Sequence, residues 1–162
     1  MAIAPLGLEG EIFMNNNEVL SILNDLIETC RRGQSAFRNA AESSQNGEFR
    51  RLFNIFLQQR TQFITELQTE VHRLGGEPNI SGESAPLFGN AVPFRSSATV
   101  KSTGRDEASV IADCQREEAA AVNDYQEALK ADLPLDVQYV VKRQYMDIKD
   151  AYDRIRILQR AA

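Results

Sequence analysis

The longest apolar stripe in the chain has an arginine in its middle. Residues 49–74, FRRLFNIFLQQRTQFITELQTEVHRL, set Phe53, Phe56, Phe63, Leu67 and Leu74 at alternating spacings of three and four, and Leu57, Ile64 and Val71 widen the same face. That period is helical, and a face this long has to be covered by other helices. Arg60 lies at its centre. Any fold of this chain must therefore bury the stripe and also give the charge inside it a partner.

Three further stripes supply the cover. From Val19 to Ala41, the residues Leu20, Leu23, Ile27, Cys30, Phe37 and Ala41 keep a heptad seam, with Val19, Leu26, Gly33 and Ala40 flanking it and Gln34 as its one polar member. A third stripe carries Ile111, Cys114, Ala121, Tyr125 and Ala128, with Val122 and Leu129 beside them and a single charge, Glu118, on the seam. The fourth carries Val141, Tyr145, Ile148, Tyr152 and Ile155, flanked by Val137, Gln144, Ala151 and Leu158. The expectation is an all-α bundle with helices at about 17–43, 47–74, 106–131 and 135–159, the whole spanning 17–160 after a tail at 1–16. Met14 could serve as an alternative start.

Punctuation agrees with these bounds. Asn15, Asn16 and Asn17 are capping residues, and Ser43 to Gly47 is a run of turn formers short enough to make the first two helices an antiparallel hairpin. Gly75 and Gly76 followed by Pro78 stop the second helix, Thr103 is a candidate cap for the third, and Asp132-Leu133-Pro134 turns the third into the fourth. Residues 75–105 are rich in Gly, Pro, Ser and Asn and long for a connection within a bundle. A helix of about 26 residues is roughly 39 Å long, and a chain crossing from one end of a bundle to the other needs about this much sequence. The linker thus reads as a crossover joining two hairpins, as in ferritin-like bundles. A shift of 88 residues lays Phe37 on Tyr125, Phe49 on Val137, Phe53 on Val141 and Leu67 on Ile155, which matches the faces of the two hairpins.

Composition enters as a filter on partners. At 162 residues the chain fits one domain, and its 43% apolar and 25% charged content excludes whole-chain disorder. A net charge of −5 without a dense Lys/Arg patch argues against nucleic acid and anionic membranes as partners. No apolar run is long enough for a membrane span, and the first residues lack the pattern of a signal peptide. Cys30 and Cys114 fall inside apolar stripes without a CxxC spacing, so both read as reduced core residues of a cytoplasmic protein.

A carboxylate-bridged pair of metals in a four-helix bundle takes Glu from two helices and Glu-x-x-His from the other two, because a spacing of three puts both ligands on one face. The only histidine is His72; Thr69 stands three before it, and His72 itself lies opposite the apolar stripe. Glu18, Asp25, Glu28 and Glu42 all face away from the first seam. The inward polar residues form instead the cluster Gln34, Arg60, Glu118, Gln144 and Tyr145, and Arg60 and Glu118, both near mid-helix, are expected to form a buried ion pair. The competing arrangement is an iron or manganese site built from Glu66, Glu70, Glu117, Glu118 and Asp147. Outward apolar residues Ile55, Tyr139 and Met146 mark a candidate subunit interface and suggest a homodimer.

Several segments together carry a family likeness: LNDLIETC in the first helix, QQRTQF and TEVHRLGGEP in the second, and C-x-R-E-E-A-A-A-V-x-D-Y-Q-E-A-L-K-A-D-L-P from Cys114 onward. They resemble a bacterial family of ferritin-like four-helix-bundle proteins classed as a domain of unknown function. The likeness runs from about Asn17 to Leu158 and implies the ferritin-like topology. It implies no activity, and ferritin's ligand pattern is absent from this sequence. The expectation is a bundle without a resident cofactor that is not an enzyme and works through protein contacts in a stress response. A divergent di-metal protein or oxidoreductase is the alternative.

Overall fold

The computed structural model describes residues 14–77 and 107–161. These form four helices: α1 (Asn16–Ser43), α2 (Gly47–Arg73), α3 (Glu107–Leu129) and α4 (Leu135–Ala161). Each helix is amphipathic, and the apolar stripes meet in one interior.

Local chemistry fixes the ends. The Asn15 side chain accepts the Glu18 N–H at 2.9 Å, and the Asn46 side chain accepts those of Glu48 and Phe49, so two of the orphan donors at the start of α2 are satisfied. α2 stops in a Schellman arrangement, with Gly76 N–H donating to the Val71 carbonyl and Gly75 N–H to that of His72. Gly75 has a φ of 82°, which a side chain would resist.

Contacts between helices give the topology. Asn16 Nδ2 donates to the Leu74 carbonyl, so α2 ends where α1 begins. The Glu107 carboxylate accepts the backbone N–H groups of Gln45 and Asn46, so α3 begins where α1 ends. At the other end of α3, Met14 N–H reaches the Asp132 carbonyl. α1 is therefore antiparallel to both α2 and α3, and α4 is antiparallel to α3. The order is up, down, down, up. The two ends that residues 78–106 join lie at opposite ends of the bundle, as a crossover connection requires. That segment itself lies outside the described residues, as do the Thr103 cap and most of the tail.

The core is two apolar clusters with a polar layer between them. Near the α1 start, Leu23, Ile27, Leu67, Val71, Val137 and Val141 pack together. At the other end Phe37, Phe53, Phe56, Ile111, Cys114 and Ile155 do so. Between the two sit Arg60, Glu118 and Gln144, each 0% exposed.

Candidate functional site

Arg60 is the largest fully buried side chain among the described residues. It projects from the middle of α2 because its neighbours one turn away on either side, Phe56 and Phe63, are core residues. The surroundings are shaped to admit it. Gly33 of α1 faces the arginine, and a Cβ there would come within 3.0 Å of Nε. The guanidinium lies between two rings, its carbon 5.2 Å from the centre of Phe37 and 5.5 Å from that of Phe63. From α3, Glu118 Oε2 meets Arg60 Nη2 in an ion pair.

The pair is joined at one corner. Arg60 Nη1 and Glu118 Oε1 have no hydrogen-bonding partner among the described residues, and the Nη2–Oε2 contact is an ion pair only. Burial pushes the guanidinium below its ordinary pKa, while Cys30, Tyr125 and Asp147 act in the opposite sense.

Beside the pair runs a hydrogen-bonded chain through all four helices. Tyr125 Oη donates to Gln144 Oε1 at 2.7 Å. With the one hydroxyl proton used there, the 3.2 Å contact to Cys30 is made by the thiol donating to the tyrosine. Gln144 Nε2 donates to Glu66 Oε1 at 2.8 Å and to the Phe63 carbonyl at 3.3 Å. Glu66 Oε1 also receives Arg143 Nη2 at 3.0 Å, which carries the chain to the surface. Burial raises the pKa of both Cys30 and Tyr125, which keeps both as donors at neutral pH.

Two expected members of the cluster lie elsewhere. Gln34 is half-buried on the rim of the α1–α2 contact, bonded to Thr61 Oγ1 at 2.8 Å, because Gly33 and not Gln34 faces Arg60. Tyr145 is likewise half-buried, its hydroxyl accepting from Gln126 at 3.0 Å, because Gln144 takes the inward direction at that turn of α4. Cys30 and Tyr125 occupy interior places instead, and half-buried Glu66 joins them to the surface. Their sequence signal is positional only: Cys30 and Tyr125 lie on the seams among apolar residues, and Glu66 enters only as one of the candidate metal ligands.

The carboxylates of the alternative metal set are dispersed. Glu118 is held by Arg60 and Glu66 by Arg143, Gln144 and Gln62. Glu70 is buried near the end of α2 with Arg73 at 3.5 Å, and Glu117 lies near Arg32, lining an open groove of about 500 Å³ between α1 and α3. Among the described residues no three His, Cys, Asp or Glu side chains converge as metal ligands. The mid-bundle donors that are present include a cation, and that set does not fit a divalent metal. Ile55, Tyr139 and Met146 are exposed on the outer surface.

A family model described as Domain of unknown function (DUF2383) matches residues 18–131, from the start of α1 past the end of α3. The chain belongs to that family. Among solved structures, this DUF2383 chain is similar to a two-domain protein from Anabaena variabilis ATCC 29413 that contains DJ-1/ThiJ/PfpI-like and ferritin-like domains. The TM-score is 0.72 at 16% identity, over 92% of this chain and 38% of that one. The chain thus spans less than half the length of that protein, and the likeness is one of fold. No curated protein matches. No helix of the described residues is long and apolar enough to cross a membrane.

Proposed function

We propose that this DUF2383 chain is a non-enzymatic ferritin-like scaffold in which the Arg60–Glu118 pair stands where a metal centre would otherwise be, and that it acts through contacts with other protein molecules. The observation that carries this reading is the guanidinium in the interior between Phe37 and Phe63, paired with the one carboxylate of α3 that faces inward. A fixed cation there repels a divalent ion and occupies the carboxylate that would bind it. Glu66, another of the candidate carboxylates, is committed to Arg143 and Gln144. What remains is a rigid bundle with a polar layer that specifies how its helices meet.

The test is elemental analysis of full-length protein purified without chelator and again after equilibration with iron(II) or manganese(II). The expected result is far less than one metal per chain in both samples, unchanged by Glu118→Gln. One or two ions per chain, lost in Glu118→Gln, would overturn the proposal in favour of a di-metal carboxylate protein.

A further inference from the structure

The outer face of α4 carries an apolar stripe that the described residues leave uncovered. Leu135, Met146 and Ile157 stand eleven residues apart, with Tyr139 one turn after Leu135. Eleven residues are close to three helical turns, so at 100° per residue all four fall within about 40° of one another along roughly 33 Å of helix. Their exposures are 74% for Leu135, 69% for Tyr139, 63% for Met146 and 61% for Ile157. Side chains of this kind and size rarely line up on a face that stays in water.

We propose that this stripe is where a second copy of the chain docks, α4 against antiparallel α4, with Met146 on the two-fold axis. None of the four residues touches the polar layer, whose surface end, Arg143, enters only in setting the orientation.

Spacing and charge both point to this occupant. Because Leu135 and Ile157 lie equally far on either side of Met146, an antiparallel pair brings Leu135 level with Ile157 of the second copy at both ends. The stripe is thus complementary to itself. A two-fold axis perpendicular to the helices sets each flank of α4 against the same flank of the other copy. On one flank Arg143, bonded to Glu66, comes within about one residue of the level of Asp150 in the second copy, and Arg154, paired with Asp150 of its own helix at 3.1 Å, within about two of Asp136. On the other flank Asp153, already bonded to Lys149 of its own helix at 3.3 Å, comes near Lys142 of the second copy. Lys142 also comes level with Lys149, the one like-charge approach on these flanks. A parallel pairing is worse: its two like-charge approaches, Lys142 beside Arg143 and Arg154 near Arg156, offset its two opposite-charge ones, Asp150 beside Lys149 and Asp153 beside Arg154. Charge complementarity therefore selects the antiparallel arrangement.

Light scattering on the full chain is expected to give the mass of a dimer. Met146→Arg, which places two cations against each other at the axis, is expected to weaken self-association on the order of a hundredfold with an unchanged helical circular dichroism spectrum. Cysteine cross-linking reads the orientation, and the native thiols of Cys30 and Cys114, 0% and 1% exposed, do not compete. Under mild oxidation Met146→Cys is expected to link to itself. Leu135→Cys and Ile157→Cys are expected not to do so alone, and to link when the two variants are mixed. A monomer at all concentrations would overturn the proposal. So would a dimer in which Leu135→Cys cross-links to itself.

Discussion

Removing one member of the buried pair is expected to cost far more than removing both. Arg60 and Glu118 are each 0% exposed, and Arg60→Met keeps most of the side-chain volume between Phe37 and Phe63 while leaving Glu118 as an uncompensated charge. Breaking such a pair from one side costs about 3–5 kcal/mol, whereas replacing both partners with apolar residues of similar volume is close to neutral. At a urea dependence of about 2 kcal/mol per molar, the single variants Arg60→Met and Glu118→Leu should each lower the unfolding midpoint by about 1.5–2.5 M. The double variant should return to within about 0.5 M of the parent or exceed it. The assay is urea unfolding followed by circular dichroism, run as a double-mutant cycle, and recovery in the double variant is informative even if a single variant does not fold. Single costs below about 1 kcal/mol that simply add would refute the reasoning, because they would mean that neither charge is held by the other.

Other expectations follow from the same layer. Gly33→Ala would ordinarily gain about 1 kcal/mol of helix propensity, but its Cβ would press on Arg60 Nε at 3.0 Å. Thermal unfolding should show a net loss of about 1 kcal/mol, and that loss should vanish in an Arg60→Met background. Gln144→Leu leaves the Tyr125 hydroxyl without its acceptor and removes one donor each from the Phe63 carbonyl and from Glu66, which keeps Arg143 and Gln62, so a destabilisation of about 1–3 kcal/mol is expected in urea. Burial pushes the Cys114 thiol from its ordinary 9.0 up to about 12. The folded state therefore keeps a proton that the unfolded state releases above pH 9, and stability falls as pH rises through that window. Relative to Cys114→Ala, the parent should lose about 1 kcal/mol more between pH 8 and pH 10, and a pH-independent difference would contradict this.

The fold was legible because the four apolar stripes are long and each is bounded by residues with a definite local role, such as Asn15, Asn46 and Gly75. The burial of Arg60 and Glu118 was legible for a related reason: each is the single charge on an otherwise apolar face. The chain from Cys30 to Arg143 was not legible. It exists because α1 packs antiparallel to α3 and α2 antiparallel to α4, which brings Cys30 to Tyr125 and Glu66 to Gln144, and no local pattern encodes those pairings. Gln34 and Tyr145 show the limit of a seam drawn by spacing. A straight helix drifts relative to a heptad repeat, and at each place the residue one position earlier, Gly33 or Gln144, points inward.

If a cation and its carboxylate partner hold the position of a metal centre in this ferritin-like bundle, the mid-bundle layer should take up no divalent ion. The most direct test is a crystal of the full-length protein grown in manganese(II), with anomalous scattering recorded. No anomalous peak is expected between the four helices at the level of Arg60 and Glu118, and Glu118 is expected to be turned toward the guanidinium. One or two strong peaks there, with Glu118 and Glu66 turned onto them and Arg60 displaced, would contradict it.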